Sequence, residues 1–108
     1  MQKRSGNTLL GGGRRARIDR EQAEAIGLAA LGFLAEEPQR LGRFLSLSGM
    51  DPGDLSARAV EPHLQAALLY HILGVETLLL VFTADKRIDP KQVAPARALL
   101  AGEDGMEM

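Results

Sequence analysis

The sequence predicts an all-α fold, a compact bundle of about six short helices, on three observations. Apolar residues recur at three-and-four spacing, the period that gathers them on one face of a helix turning about 100° per residue. Four of the five prolines, Pro38, Pro52, Pro62 and Pro90, stand where a helix can open, because the N–H that proline lacks has no partner in a first turn anyway. No segment alternates apolar with polar residues over the length of a strand.

Asp19 starts the first helix: its carboxylate can accept orphan backbone N–H groups, and Gln22 stands three residues on, as in a capping box. Ala23, Ile26, Ala30, Phe33 and Leu34 share its inner face, and it ends near Glu37 because Pro38 disfavours helical backbone in the residue before it. Pro38 opens the second helix, with Leu41, Phe44 and Leu45 inward and Arg40 and Arg43 outward, and Gly49 stops it. Asp51-Pro52 starts a short third helix. Pro62 opens a fourth, in which Leu64, Ala67, Leu68, His71 and Ile72 form a stripe ending at Gly74. A fifth runs from about Val75 to Ala84, and a sixth from Asp89-Pro90 to about Leu100. Pro95 removes one backbone bond from the sixth and should kink or delay it.

The two Asp-Pro starts resemble each other beyond the dipeptide. Met50 precedes one and Leu55 follows it, Ile88 precedes the other and Val93 follows it, each pair spaced as a hydrophobic staple. Shifting the chain by 38 residues also brings Leu31 onto Leu69, Leu34 onto Ile72, Leu41 onto Leu79 and Phe44 onto Phe82. Two tandem units of three helices, residues 20–60 and 61–100, are therefore expected, each too small to bury its apolar face alone. Where the first unit carries Arg40, Gly42 and Arg43, the second carries Leu78, Leu80 and Val81, so the fifth helix is apolar nearly all round. Such a helix either lies at the centre of the bundle, the favoured expectation, or presents Leu78, Leu80 and Val81 to a dimer mate or partner.

A length of 108 residues leaves room for one small domain, and 45% apolar with 25% charged residues is the composition of a folded chain. The net charge of -1 conceals a division. Residues 1–20 hold six basic residues and one acid, a sum of +5, and the remainder holds seven basic and thirteen acidic, a sum of -6. We expect a basic arm over residues 1–18, disordered when free, a helical domain over 19–101 and a frayed acidic tail over 102–108. No apolar run approaches the roughly 20 residues of a membrane span. Asn7, Thr8 and Gly11 to Gly13 interrupt any secretory signal after Lys3 and Arg4, so cytoplasm is the expected location.

Chemistry is mostly excluded. There is no cysteine, hence no disulfide, thiolate nucleophile or Cys-containing zinc site. His63 and His71 lie eight residues apart, about 12 Å along one helix, too far to share a metal. His71 reads as a packing residue and His63 as a solvated one. Ser46, Ser48 and Ser56 have no Gly-x-Ser-x-Gly elbow, and Gly11 to Gly13 lacks the Gly-Lys-Ser/Thr ending of a phosphate loop. Glu36 and Glu37 are neighbours that point different ways around a helix. No enzyme activity, cofactor or metal is expected.

The run Ala30-Leu31-Gly32-Phe33-Leu34-Ala35-Glu36, then Leu41-Gly42-Arg43-Phe44-Leu45, Ser48-Gly49-Met50-Asp51-Pro52, Gly74, Glu76, Leu79, Phe82, Ile88-Asp89-Pro90 and Ala96-Arg97 resembles small helical alphaproteobacterial proteins grouped as domain of unknown function 3572. The resemblance covers about residues 20–101 and implies a bacterial cytosolic helical protein with no assigned catalytic residues, with a signalling protein as one partner to consider. Two residues depart from the pattern: Val75 stands where an acidic cap is expected before Glu76, at the start of helix five, and Pro95 replaces a helix former, which bears on the straightness of helix six.

Two functional classes follow. The favoured one is a protein-interaction or adaptor module that offers an apolar face to another helix, a second copy of the chain being one such partner. The alternative is a nucleic-acid or polyanion binder acting through Lys3, Arg4, Arg14, Arg15 and Arg17, whose charges would neutralise phosphates without reading sequence. Phe33, Phe44, Tyr70 and Phe82 are the only aromatic residues, and three of them fall on core positions, which leaves no stacking platform for single strands.

Overall fold

The computed structural model describes residues 18–102, among which there are six α-helices and no strand. Helix α1 spans Arg20–Ala35. Its capping box is complete: Gln22 N–H donates to the Asp19 carboxylate at 2.8 Å and the Asp19 N–H donates to the Gln22 side-chain oxygen at 3.0 Å. Helix α2 spans Pro38–Ser48 and stops at Gly49, whose φ of 76° is a left-handed conformation that glycine adopts without a Cβ clash. Helix α3 is Pro52–Ala57, α4 is Pro62–Leu73 and α5 is Glu76–Lys86. Pro95 delays the last helix as its missing N–H predicts. A 3-10 turn at Pro90–Gln92 precedes α6, Val93–Leu100, which leaves Pro95 in a first turn where no bond is lost.

Helices α1, α4 and α6 pack on one another and hold most of the core. Ala23, Ala30, Leu34, Leu68, Leu69, Ile72, Val93 and Ala96 are all fully buried there. Helices α2 and α5 flank this centre through Phe44 and Phe82, and α3 contributes Leu55 alone to the buried set. No single helix is long and apolar enough to cross a membrane; α4 and α5 together reach that composition but are bent by 116° at the Gly74-Val75 link.

Three expectations need correction. Helix α5 is not the centre of the bundle: Leu80 is 51% and Val81 48% exposed, while Leu78 and Leu79 are half-buried. The central place goes to α6, whose buried Val93, Ala96 and Leu100 follow helical spacing and whose small Ala96 permits close approach. Arg40 does not point outward. Its guanidinium lies 4.0 Å above the Phe33 ring and donates at 3.1 Å to the Phe33 carbonyl, which also accepts from the Glu36 N–H in the last turn of α1. Ala67 is exposed, because α4 is held between α1 and α6 and turns Gln65 and Leu69 inward instead.

The 38-residue repeat is visible in the backbone. Adding 38 to the limits of α2, Pro38 and Ser48, gives Glu76 and Lys86, the limits of α5. Glu37 (φ -127°, ψ 116°) and Val75 (φ -130°, ψ 106°) lead into these helices alike. Gly49 and Arg87 end them with positive φ of 76° and 57°. Symmetry fails at the third helix, since α6 is central and α3 peripheral.

Candidate interaction groove

The repeat creates two equivalent seams in which the second helix of each unit lays a phenylalanine on the last turn of the other unit's first helix. At the first, Phe82 of α5 meets Phe33 of α1 with ring centroids 5.2 Å apart. At the second, Phe44 of α2 meets His71 of α4 edge-on at 5.4 Å. Subtracting 38 from His71 gives Phe33, and adding 38 to Phe44 gives Phe82.

The first seam is shut. Arg40 covers Phe33, and the Lys86 ammonium bonds the Glu36 carboxylate at 2.6 Å across the helix ends. This hydrogen bond is the main reason that Lys86 holds its proton above its ordinary 10.5. In the second seam Gly74 takes the place of Glu36 and Ser48 that of Lys86, so no ion pair can form. Ser48 is occupied within its own turn, donating to the Leu45 carbonyl and accepting from the Met50 N–H. The seam stays open as a groove of about 910 Å³ between α2, α4 and α6. Phe44, Ala67, His71 and Val75 supply apolar wall, Arg43 and Arg97 supply positive charge, and among the described residues no carboxylate lines it.

His71 is held below its ordinary 6.5, first by burial and second by the neighbouring Arg43 cation. It is therefore a neutral, edge-on packing partner of Phe44 at pH 7. A histidine with a lowered folded-state value contributes stability that is full above its unfolded value, about 6.5, and is lost as the pH falls through the folded value. His71→Phe, which restores the residue type of the shut seam, should remove that component. The thermal midpoint of the wild type should drop more than that of the variant between about pH 7.5 and 5.5, and equal drops would refute the assignment.

The residues singled out from the sequence are only partly gathered here. Leu80 and Val81 lie on the solvent face of α5, outside the groove, and Leu78 packs half-buried against the core. Lys3, Arg4, Arg14, Arg15 and Arg17 lie outside the described residues. Groove residues Arg43, Ala67, Tyr70 and Arg97 escaped sequence reasoning, although the 38-residue shift held the signal, since it sets Gly74 and Ser48 opposite Glu36 and Lys86. His63 is exposed, and among the described residues no three His, Asp or Glu side chains gather to hold a metal.

A family model described as a protein of unknown function (DUF3572) matches residues 20–103, which includes every helix bordering the groove. No curated protein and no solved structure matches the chain.

Proposed function

We propose, from the premise that the chain belongs to the DUF3572 family, that it is a protein-interaction module whose groove receives an amphipathic helix bearing carboxylates. The observation that carries this reading is the open seam, where an apolar-walled groove of about 910 Å³ lies beside the Arg43 cation. A helix with apolar residues at positions i, i+3, i+4 and i+7 would bury them against Phe44, Ala67 and His71, gaining about 25 cal/mol per Å² of apolar surface removed from water. A carboxylate on its flank would meet Arg43, which sets orientation and partner choice.

The polyanion reading rests on the arm. The described residues carry eight basic and eleven acidic side chains, a sum of -3, which disfavours phosphate away from that arm.

The reading is tested with a fluorescent helical peptide of about twelve residues, leucine at the four anchor positions and glutamate on the flanks. It should bind the protein at least roughly tenfold more tightly than the same peptide with lysine for glutamate, a difference of about 1.4 kcal/mol. Ala67→Trp, which fills the groove from an exposed position, should abolish binding while leaving the circular dichroism unchanged. Equal binding of both peptides, or full binding by a folded Ala67→Trp protein, would defeat the proposal.

A further inference from the structure

We infer that Leu47, Tyr70 and Val75 are the residues that grip the partner in the groove, and that this partner is an acid-bearing amphipathic helix of another protein. This rests on the groove being a helix-binding site. Seven large apolar side chains are exposed among the described residues, and these three line the groove beside the buried Phe44. Leu47 and Tyr70 are the most open of the three, at 69% and 70%. Leu47 stands one turn beyond Arg43 on α2, Tyr70 one turn beyond Ala67 on α4, and Val75 in the link that follows α4.

The tandem repeat is an internal control for what the fold itself requires. Shifting by 38 residues sets Asp85 opposite Leu47, Gly32 opposite Tyr70 and Glu37 opposite Val75. All three equivalents are exposed, and the same helices form around them: α2 and α5 have equal length, and Glu37 leads into α2 with the extended backbone that Val75 adopts before α5. The fold thus accepts an acid, a bare backbone and a second acid where the groove carries leucine, tyrosine and valine. Apolar side chains left in water gain nothing for folding and become favourable only when a partner covers them. Tyr70 should dominate, because a ring with two rotatable bonds loses little conformational freedom on burial. Charge selects the occupant. Among the described residues the Arg43 guanidinium makes no hydrogen bond or ion pair, and it already acts on the neighbouring His71. A carboxylate beside the anchors of an incoming helix would pair with it. A second copy docked by the same face about a twofold axis would set hollow on hollow and Arg43 near Arg43, which leaves a helix of another protein.

The test uses the full chain and the fluorescent glutamate peptide. Leu47→Asp, Val75→Glu and Tyr70→Ala should each keep the helix content and hold the thermal midpoint to within about 4 °C, as exposed substitutions do. Each should weaken peptide binding, Tyr70→Ala by at least roughly tenfold. Tyr70→Phe keeps the ring and should bind like the wild type. Leu80→Asp adds the same charge as Leu47→Asp but outside the groove, and should also bind like the wild type, which separates contact from long-range repulsion. A larger fall in midpoint would make the three residues structural and overturn the inference. An equal loss of binding in Tyr70→Phe or Leu80→Asp would overturn it too. If Ala67→Trp abolishes binding while Leu47→Asp, Val75→Glu and Tyr70→Ala bind fully, the groove stands and these residues fall as its grip. If the wild type does not bind the peptide, both fall. Light scattering coupled to gel filtration at about 100 µM should give a monomer. A dimer that Tyr70→Ala dissociates would put a second copy in the groove and overturn the choice of another protein.

Discussion

Phe82→Ala should remove most of the domain's stability, leaving it at the edge of unfolding without denaturant. Phe82 is fully buried, its ring lies 5.2 Å from that of Phe33, and the seam around it is shut by Arg40 and the Lys86–Glu36 pair. Truncation removes the transfer free energy of the ring and leaves a cavity that helices on both sides cannot collapse into, a cost of about 3–5 kcal/mol. A domain of this size has roughly 5 kcal/mol in total. Phe44→Ala is the matched control. Phe44 is the equivalent residue and only 3% exposed, but its void would open into the groove and fill with water, so the cavity component should shrink and the loss should be smaller. Urea titrations followed by circular dichroism would compare the pair. A Phe44→Ala loss equal to or larger than that of Phe82→Ala would contradict the difference between the seams.

Gly27→Leu should be comparably damaging, for a reason unrelated to lost burial. Gly27 and Gln65 occupy equivalent places in the two units, and here α1 and α4 touch: a Cβ built on Gly27 would lie 2.7 Å from the Gln65 Cβ. That atom is fixed to the α4 backbone and cannot rotate away, so any side chain pushes the two helices apart. Gln65 is itself buried and anchored through a 3.1 Å bond from its amide to the Ala59 carbonyl, with its side-chain oxygen left unpartnered. Overpacking at such a contact costs about 1–3 kcal/mol for small additions, and a leucine should exceed that range. Alanine at the same position is the sharper experiment. In an open helix Gly→Ala gains roughly 1 kcal/mol of propensity, and Gly32→Ala, with nothing within 4 Å of the added Cβ, should show that gain. Gly27→Ala should instead lower the unfolding midpoint. Stabilisation by both changes would mean that α1 and α4 do not approach this closely.

Helix limits were legible because they depend on groups within about four residues of one another. Asp19 with Gln22, the prolines at the starts of α2, α3 and α4, Gly49, and the delay imposed by Pro95 act through one dihedral angle or one local hydrogen bond, which no distant contact needs to arrange. The repeat was legible for the same reason, since paired stops such as Gly49 and Arg87 and paired core residues such as Leu34 and Ile72 are written in order along the chain. Burial of Leu80, the direction of Arg40 and the Gly27–Gln65 contact were not legible, and neither was the groove. Hydrophobic attraction has no direction, so an apolar helix such as α5 records how much surface favours burial but not which face meets a neighbour. That was decided in three dimensions when α6, rather than α5, lay across α1 and α4, and when one of two equivalent seams lacked the charges to close.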